Sequence, residues 1–285
     1  MKFSVVIATR NRAALLDGAL ASLRAQIDAP PLETIVIDNG STDATAEVAR
    51  AHEAYVISEP EPNRSRARNA GIARATGDIV LFIDDDVVLP AHFVAAHARA
   101  HAAQLFPTVV TGPIINVPSA DQHPLPTLRN ASNAYFCTCN VSVPRNVLDA
   151  VGRFDESFDR YGWEDTELGA RLRRYSVGRR FIWDAYLWHI KPPSTETLEN
   201  ALVRTLEKAR MAARYVRKDP SSRTKLATGA YLLNRLRAKV MAPKVAQPWL
   251  AGIATSSRVP APLANIARGL VLDGAYIDEL ERSLR

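Results

Sequence analysis

The sequence predicts an α/β protein: a mostly parallel, Rossmann-like sheet flanked by helices, then a helical C-terminal extension. Three observations carry this. Short apolar runs alternate with stretches of helical spacing, the pattern of strand–helix–strand units. One of these runs, Ile79-Val80-Leu81-Phe82-Ile83, leads straight into Asp84-Asp85-Asp86. Beyond Pro192-Pro193 the composition changes. Residues 1–195 hold 20 Lys+Arg against 22 Asp+Glu, whereas residues 196–285 hold 16 against 8, so the net +6 belongs to the last third.

Taken in order, residues 3–9 read as a first buried strand with Arg10-Asn11-Arg12 as its exit. Residues 13–26 carry Leu15, Leu16, Ala19, Leu20 and Leu23 at helical spacing. A second strand, 34–37, ends in Asp38-Asn39-Gly40-Ser41-Thr42-Asp43, with Ser41 or Thr42 expected to cap the helix at 44–52. A third strand, 54–57, and a helix over 63–75 precede the acidic strand. Residues 91–104 are expected as a helix carrying exposed His92, His97 and His101. Strands follow at 108–112, 137–143, 181–183 and 185–188, with a long loop at 113–133 and helices at 145–151 and 165–175. The tail reads as helices at 195–218, 221–241 and 261–284. The expected domains are residues 1–194 and the basic helical extension 195–285.

The bulk numbers exclude several classes. Hydrophobic content of 47% and charged content of 23% fit a globular chain, not a disordered one. No apolar run reaches the roughly 18 residues needed to span a bilayer. The apolar start at residues 3–7 is too short for a signal-peptide core and runs into polar Thr9-Arg10-Asn11-Arg12, so a cytoplasmic protein is expected. Cys137 and Cys139, a lone C-x-C, imply neither a disulfide framework nor a zinc site, and Cys139 is given no role.

In a parallel sheet the loops after Thr9, Asp38 and Ile83 open on one edge, where α/β sheets bind ligands. Three adjacent carboxylates cost free energy unless a cation sits among them. Carboxylate oxygens suit Mg²⁺ or Mn²⁺, ions that also hold phosphates. No G-x-x-x-x-G-K-[ST] or G-x-G-x-x-G loop is present to cradle phosphate. Glu164 and Asp165 start a helix, where the dipole favours negative charge.

Six stretches in order give the chain a family likeness: residues 4–12, Val36-Ile37-Asp38-Asn39-Gly40-Ser41-Thr42-Asp43, Arg66-Ala67-Arg68-Asn69-Ala70-Gly71, Gly77-Asp78 with Phe82-Ile83-Asp84-Asp85-Asp86, Cys139-Asn140-Val141-Ser142, and Trp163-Glu164-Asp165-Thr166-Glu167-Leu168, closed by Trp188-His189. The chain resembles a family 2 glycosyltransferase of the GT-A fold over residues 3 to about 192. The resemblance implies an inverting transferase that uses a nucleotide-sugar donor, UDP-linked first, and Mn²⁺ or Mg²⁺. It implies that Thr9, Arg10, Asp38, Arg68, Asp84 and Asp85 bind the donor. By the same likeness Asp86 and His189 hold the metal, Asp165 is the catalytic base, and Trp163 and Glu164 meet the acceptor. The acceptor stays open among a lipid-linked or other glycan, a protein and a small metabolite; nucleic acid is not an expected partner. Two other readings stand beside it, a metal-dependent nucleotidyltransferase and a non-catalytic nucleotide-sugar-binding protein. The first usually has a glycine-rich N-terminal loop, which 7–11 lacks. In the tail, Leu226, Tyr231-Leu232-Leu233, Leu236 and Val240 lie among Arg223, Lys225, Arg235, Arg237 and Lys239. Such a helix either touches the inner face of an anionic membrane peripherally or packs its apolar side on the catalytic domain.

Overall fold

The computed structural model describes residues 1–193, 195–256 and 258–285, with Lys239 described by its backbone alone. The chain divides into two compact units, Met1–Asp159 with Glu164–Ser194, and Arg160–Trp163 with Thr195–Arg285. The domain boundary expected at residue 194 falls on Ser194, outside the described residues.

The first unit begins β1 (Phe3–Thr9), α1 (Ala13–Arg24), β2 (Leu32–Asp38), α2 (Thr45–Ala51), β3 (Tyr55–Ser58), α3 (Arg64–Arg74), β4 (Ile79–Ile83), β5 (Val87–Val88) and α4 (Phe93–Ala102). It continues with β6 (Thr108–Thr111), β7 (Ile114–Val117), β8 (Asn140–Pro144), α5 (Arg145–Val151), α6 (Glu164–Arg174), β9 (Gly178–Phe181) and β10 (Leu187–Ile190). A seven-stranded sheet has the order β3-β2-β1-β4-β8-β6-β9, and a three-stranded sheet the order β5-β10-β7. In the larger sheet β3, β2, β1 and β4 are parallel, and β8 is antiparallel to both β4 and β6. This is the mostly parallel α/β sheet that the apolar runs predict.

Successive strand side chains point to opposite faces, so unbroken apolar runs need both faces covered. Phe3, Val5, Ile7, Leu81 and Ile83 join Leu16, Leu20 and Leu23 of α1 and Phe93 of α4 in one core. Val6, Val80 and Phe82 join Ile72 of α3, Leu148 of α5, and Leu168 and Leu172 of α6 in the other. Gly71 lets α3 lie close on the sheet: a Cβ there would stand 2.5 Å from Val6 Cγ1.

Register then decides what meets at the sheet's edge. Thr9 stands level with Asp38. Ile83 faces Asn140, so residues 137–139 enter β8 beside the chain leaving β4. His189 lies opposite Val87 of β5 on one side and Asn116 of β7 on the other.

Several expectations change. The 113–133 stretch is not all loop: β7 forms because Ile115 and Val117 pack with Trp188. The strand expected from 137 starts only at Asn140, and those expected at 181–183 and 185–188 become β9 and β10. Ser41 and Thr42 do not cap α2, whose N-cap is Ala44; they bind Asn11 instead. His97 and His101 are buried rather than exposed. Both rings reach Ser142 Oγ at 2.8 Å, and His97 also meets Asn140 Oδ1 at 3.1 Å. Burial, helped for His97 by its neighbour His101, pushes these rings down to about 3 and about 4, so both are neutral.

The second unit contains α7 (Leu198–Lys218), α8 (Ser222–Thr228), α9 (Leu232–Met241), α10 (Gln247–Thr255) and α11 (Ala261–Leu284), with α7 and α10 packed on α11. The single helix expected over 221–241 is broken at Gly229, which ends α8 in the left-handed region at φ 74°. Helix α10 was not expected. Leu226, Leu232, Leu233, Leu236 and Val240 are exposed. Trp163 belongs to this unit. Its indole Nε1–H donates to the Lys208 carbonyl at 3.0 Å and its ring lies beside Tyr215.

Candidate active site

The loops leaving β1 and β2 are fastened to each other. Asn11 N–H donates to Ser41 Oγ at 2.9 Å, and Asn11 Oδ1 accepts from Thr42 N–H at 2.7 Å. Asn39 N–H donates to the Thr9 carbonyl, and Asp38 Oδ1 accepts from Ser41 N–H at 2.9 Å. Asp38 and Thr9 are therefore held at the C-terminal end of their parallel strands, both buried, while Arg10 is exposed.

The three aspartates after β4 have distinct surroundings. Arg12 Nη1 bridges Asp85 Oδ1 at 3.1 Å and Asp86 Oδ2 at 2.5 Å. Burial pushes the Asp85 carboxyl up to about 6 against the pull of Thr9 and Arg12. Burial also acts upward on Asp86, but His189 and Arg12 outweigh it and hold that carboxyl below its ordinary value.

His189 Nδ1 lies 2.9 Å from Asn116 Oδ1. That contact orients the ring so that Nε2 lies 3.0 Å from Asp86 Oδ1. A ring nitrogen and a carboxylate oxygen so placed share a proton or a cation. Asp84, Cys139 and His189 each bring a ligand atom within 4.8 Å of the others. The oxygen and imidazole donors fit Mn²⁺ or Mg²⁺.

A second acidic cluster sits at the start of α6. Arg68 Nη1 meets Glu164 Oε1 at 3.1 Å and Asp165 Oδ1 at 3.6 Å. Thr138 donates both its backbone N–H and its hydroxyl to Asp165 Oδ2, each at 2.9 Å. Burial raises the Asp165 carboxyl above its ordinary value; Arg68 opposes this and the Glu164 charge adds to it. Burial acts downward on Arg68, yet Asp165, Glu164 and Asp84 together raise its pKa. Asp165 Oδ1 and Glu164 Oε2 are buried without a hydrogen-bond donor.

The structure thus gathers Thr9, Asp38, Asp84, Asp85, Asp86 and His189 at one sheet edge. It ties Arg68 to Glu164 and Asp165, in the electrostatic field of Asp84. Trp163 is half-buried, its indole bonded to the Lys208 carbonyl and its ring beside Tyr215. The sequence reading gave no role to Arg12, Asn116 or Thr138. Arg12 lay inside a quoted motif and Thr138 just before one, whereas Asn116 carries no local signal and is found only through the β7–β10 pairing.

A family model described as Glycosyl transferase family 2 matches residues 4–154. The chain belongs to that family. The matched segment of this family 2 chain holds Thr9, Asp38 and the three aspartates, while Asp165 and His189 lie beyond it. The validoxylamine A glucosyltransferase of Streptomyces hygroscopicus subsp. limoneus is 32% identical over 262 residues, covering 76% of this chain. The chain spans 57% of that relative's length. Among solved structures, the mannosyltransferase PcManGT from Pyrobaculum calidifontis, in complex with GDP-Man and Mn²⁺, is similar at a TM-score of 0.65 and 20% identity, covering 99% of this chain and 86% of that one. S. aureus TarS 1-349 in complex with UDP-GlcNAc is similar at a TM-score of 0.58 and 20% identity, covering 99% and 91%. These likenesses show the fold, which is GT-A-type.

Proposed function

We propose that this family 2 chain moves a sugar from a nucleoside-diphosphate donor to an acceptor hydroxyl, inverting the anomeric carbon. The observation that carries the reading is Asp165: a half-buried carboxylate held through Oδ2 by Thr138, with a buried Oδ1 lacking a hydrogen-bond donor. In a single displacement the acceptor oxygen bonds to the anomeric carbon as the bond to the diphosphate oxygen breaks. The hydroxyl proton passes to Asp165 Oδ1, a role that contributes about 10²–10⁴-fold. Asp38 and Thr9 take the nucleotide base, and Arg10 lies at the same rim. Asp84 and Asp85 face the ribose and diphosphate side. Asp86 and His189 would hold Mn²⁺ or Mg²⁺, which when bound neutralises charge on the leaving diphosphate. Arg68 pairs with both Glu164 and Asp165, and Glu164, whose buried Oε2 lacks a donor, is assigned with Trp163 to the acceptor. Family membership supports transfer over nucleotidyl chemistry. The relative named for glucosyl transfer makes glucose the first sugar to test, on UDP and on GDP.

A thermal-shift panel of nucleoside diphosphates and their sugars, with and without Mn²⁺, tests the donor reading. A binder at 100 times its Kd stabilises the fold by about 2.7 kcal/mol. A metal-dependent shift with one nucleotide sugar is expected; a flat panel would remove the reading.

A peripheral membrane contact is a second element of the proposal. It is supported by exposed Leu226, Leu232, Leu233, Leu236, Val240 and Trp249 beside exposed Arg223, Lys225 and Lys244. No helix among the described residues is long and apolar enough to cross a membrane. Co-sedimentation with anionic vesicles that fades as salt rises is expected, and absence of binding at low salt would exclude the contact.

A further inference from the structure

Cys139 is a side chain that the transfer reaction leaves unused. It is 6% exposed, and the β4–β8 register sets it beside Asp84. Its Sγ lies with an Asp84 oxygen and a His189 nitrogen inside a 4.8 Å triangle. The other cysteine, Cys137, is not part of that triangle. A tetrahedral site with bonds of about 2.0–2.3 Å places its ligand atoms about 3.3–3.8 Å apart. The three atoms therefore need to close by no more than about 1.5 Å, within reach of rotamer adjustment around a bound ion. Asp86 Oδ1, 3.0 Å from a His189 nitrogen, is at hand as a fourth ligand.

We propose that Asp84, Cys139 and His189 form a thiolate-containing site for a softer divalent cation, Zn²⁺ or Co²⁺, overlapping the oxygen-ligand site of the transfer reaction. This rests on that reading for the shared His189 and Asp86. On binding, the Cys139 S–H bond breaks, its proton leaves to solvent, and the sulfur lone pair bonds to the metal. No oxidant or reductant is needed. Thiolate favours Zn²⁺ over Mn²⁺, and the general order of divalent affinities points the same way. The site thus selects Zn²⁺ at equilibrium and lets it displace Mn²⁺. Cys139 is the residue that sets this preference.

Co²⁺ absorption spectroscopy on the full chain reads the bond directly, because thiolate ligation gives an intense near-ultraviolet charge-transfer band. The expected result is that band in wild type, its retention in Cys137→Ser, and its loss in Cys139→Ser. Calorimetry with Zn²⁺ and Mn²⁺ completes the test. Zn²⁺ affinity should fall by about 10-fold or more in Cys139→Ser, while Mn²⁺ affinity stays within about threefold, on the scale of losing one soft ligand. Co²⁺ bound by wild type without the band, or no Co²⁺ bound at all, overturns the thiolate site whatever the variants do. A band with no Mn²⁺ binding in either protein upholds the thiolate site and instead removes the metal assignment of the transfer reaction. The wild-type spectrum stands even if a variant fails to fold.

Discussion

The first unit holds two acidic clusters, each with its own arginine, and they are built in opposite ways. Around Asp85 and Asp86 the arginine is Arg12, whose side chain is 44% exposed. Around Glu164 and Asp165 it is Arg68, whose side chain is 11% exposed and which lies against the Phe154 ring. The Asp86 carboxyl is held low by His189 and Arg12, and that of Asp165 is held high by burial. A low carboxylate beside an imidazole suits a cation, with Arg12 as the stand-in that a metal could replace. A raised carboxylate with one oxygen fixed and the other lacking a donor suits a proton. On the proposed reading the same pair of residue types serves two tasks, and burial of the arginine separates them.

The comparison is broken most severely at Arg68. Arg68→Met leaves two buried carboxylates without their cation and should cost about 3–5 kcal/mol of stability, read from urea unfolding. Next comes Asp86→Ala, which should remove Mn²⁺ binding in calorimetry and slow transfer by about 10²-fold or more while the fold persists. Full activity in that variant, or in EDTA, would contradict the metal assignment. The pH profile comes third. The base must be ionised, and its pKa is raised, so activity should fall about tenfold per pH unit on an acid limb above the ordinary Asp value of about 3.9. A limb at or below that value would show that burial does not tune Asp165. The smallest effect belongs to Arg12→Gln. Removing a half-exposed ion pair that competes with the metal should tighten Mn²⁺ binding by about two- to fivefold without nucleotide, whereas weaker binding would make Arg12 a supporter of the site.

Much of this was legible in the chain itself. The parallel strands announced themselves because fully buried strands are apolar on both faces, as Ile79 to Ile83 are. The acids at the strand ends stood out because they interrupt that pattern. What stayed hidden depends on pairing across long separations. The Asn116 contact with His189 and the Cys139 approach to Asp84 arise from register between strands far apart in sequence. His97 and His101 were misread because polar partners supplied by β8, Ser142 and Asn140, satisfy them in the core. The turn at Trp163 was not legible either, because it depends on two consecutive left-handed residues, Gly162 and Trp163. Gly229 broke the tail helix for a similar backbone reason that helical spacing does not reveal.

The division of labour between the clusters is tested most directly with Asp165→Asn. The amide keeps the size of the carboxylate and an oxygen for Thr138 but loses its basicity. Donor and Mn²⁺ binding, measured by calorimetry, should stay within about twofold of wild type, while the single-turnover rate of transfer falls by at least about 10². Transfer near the wild-type rate would place the base elsewhere, and a loss of Mn²⁺ binding equal to the loss of rate would show that the two clusters are one site.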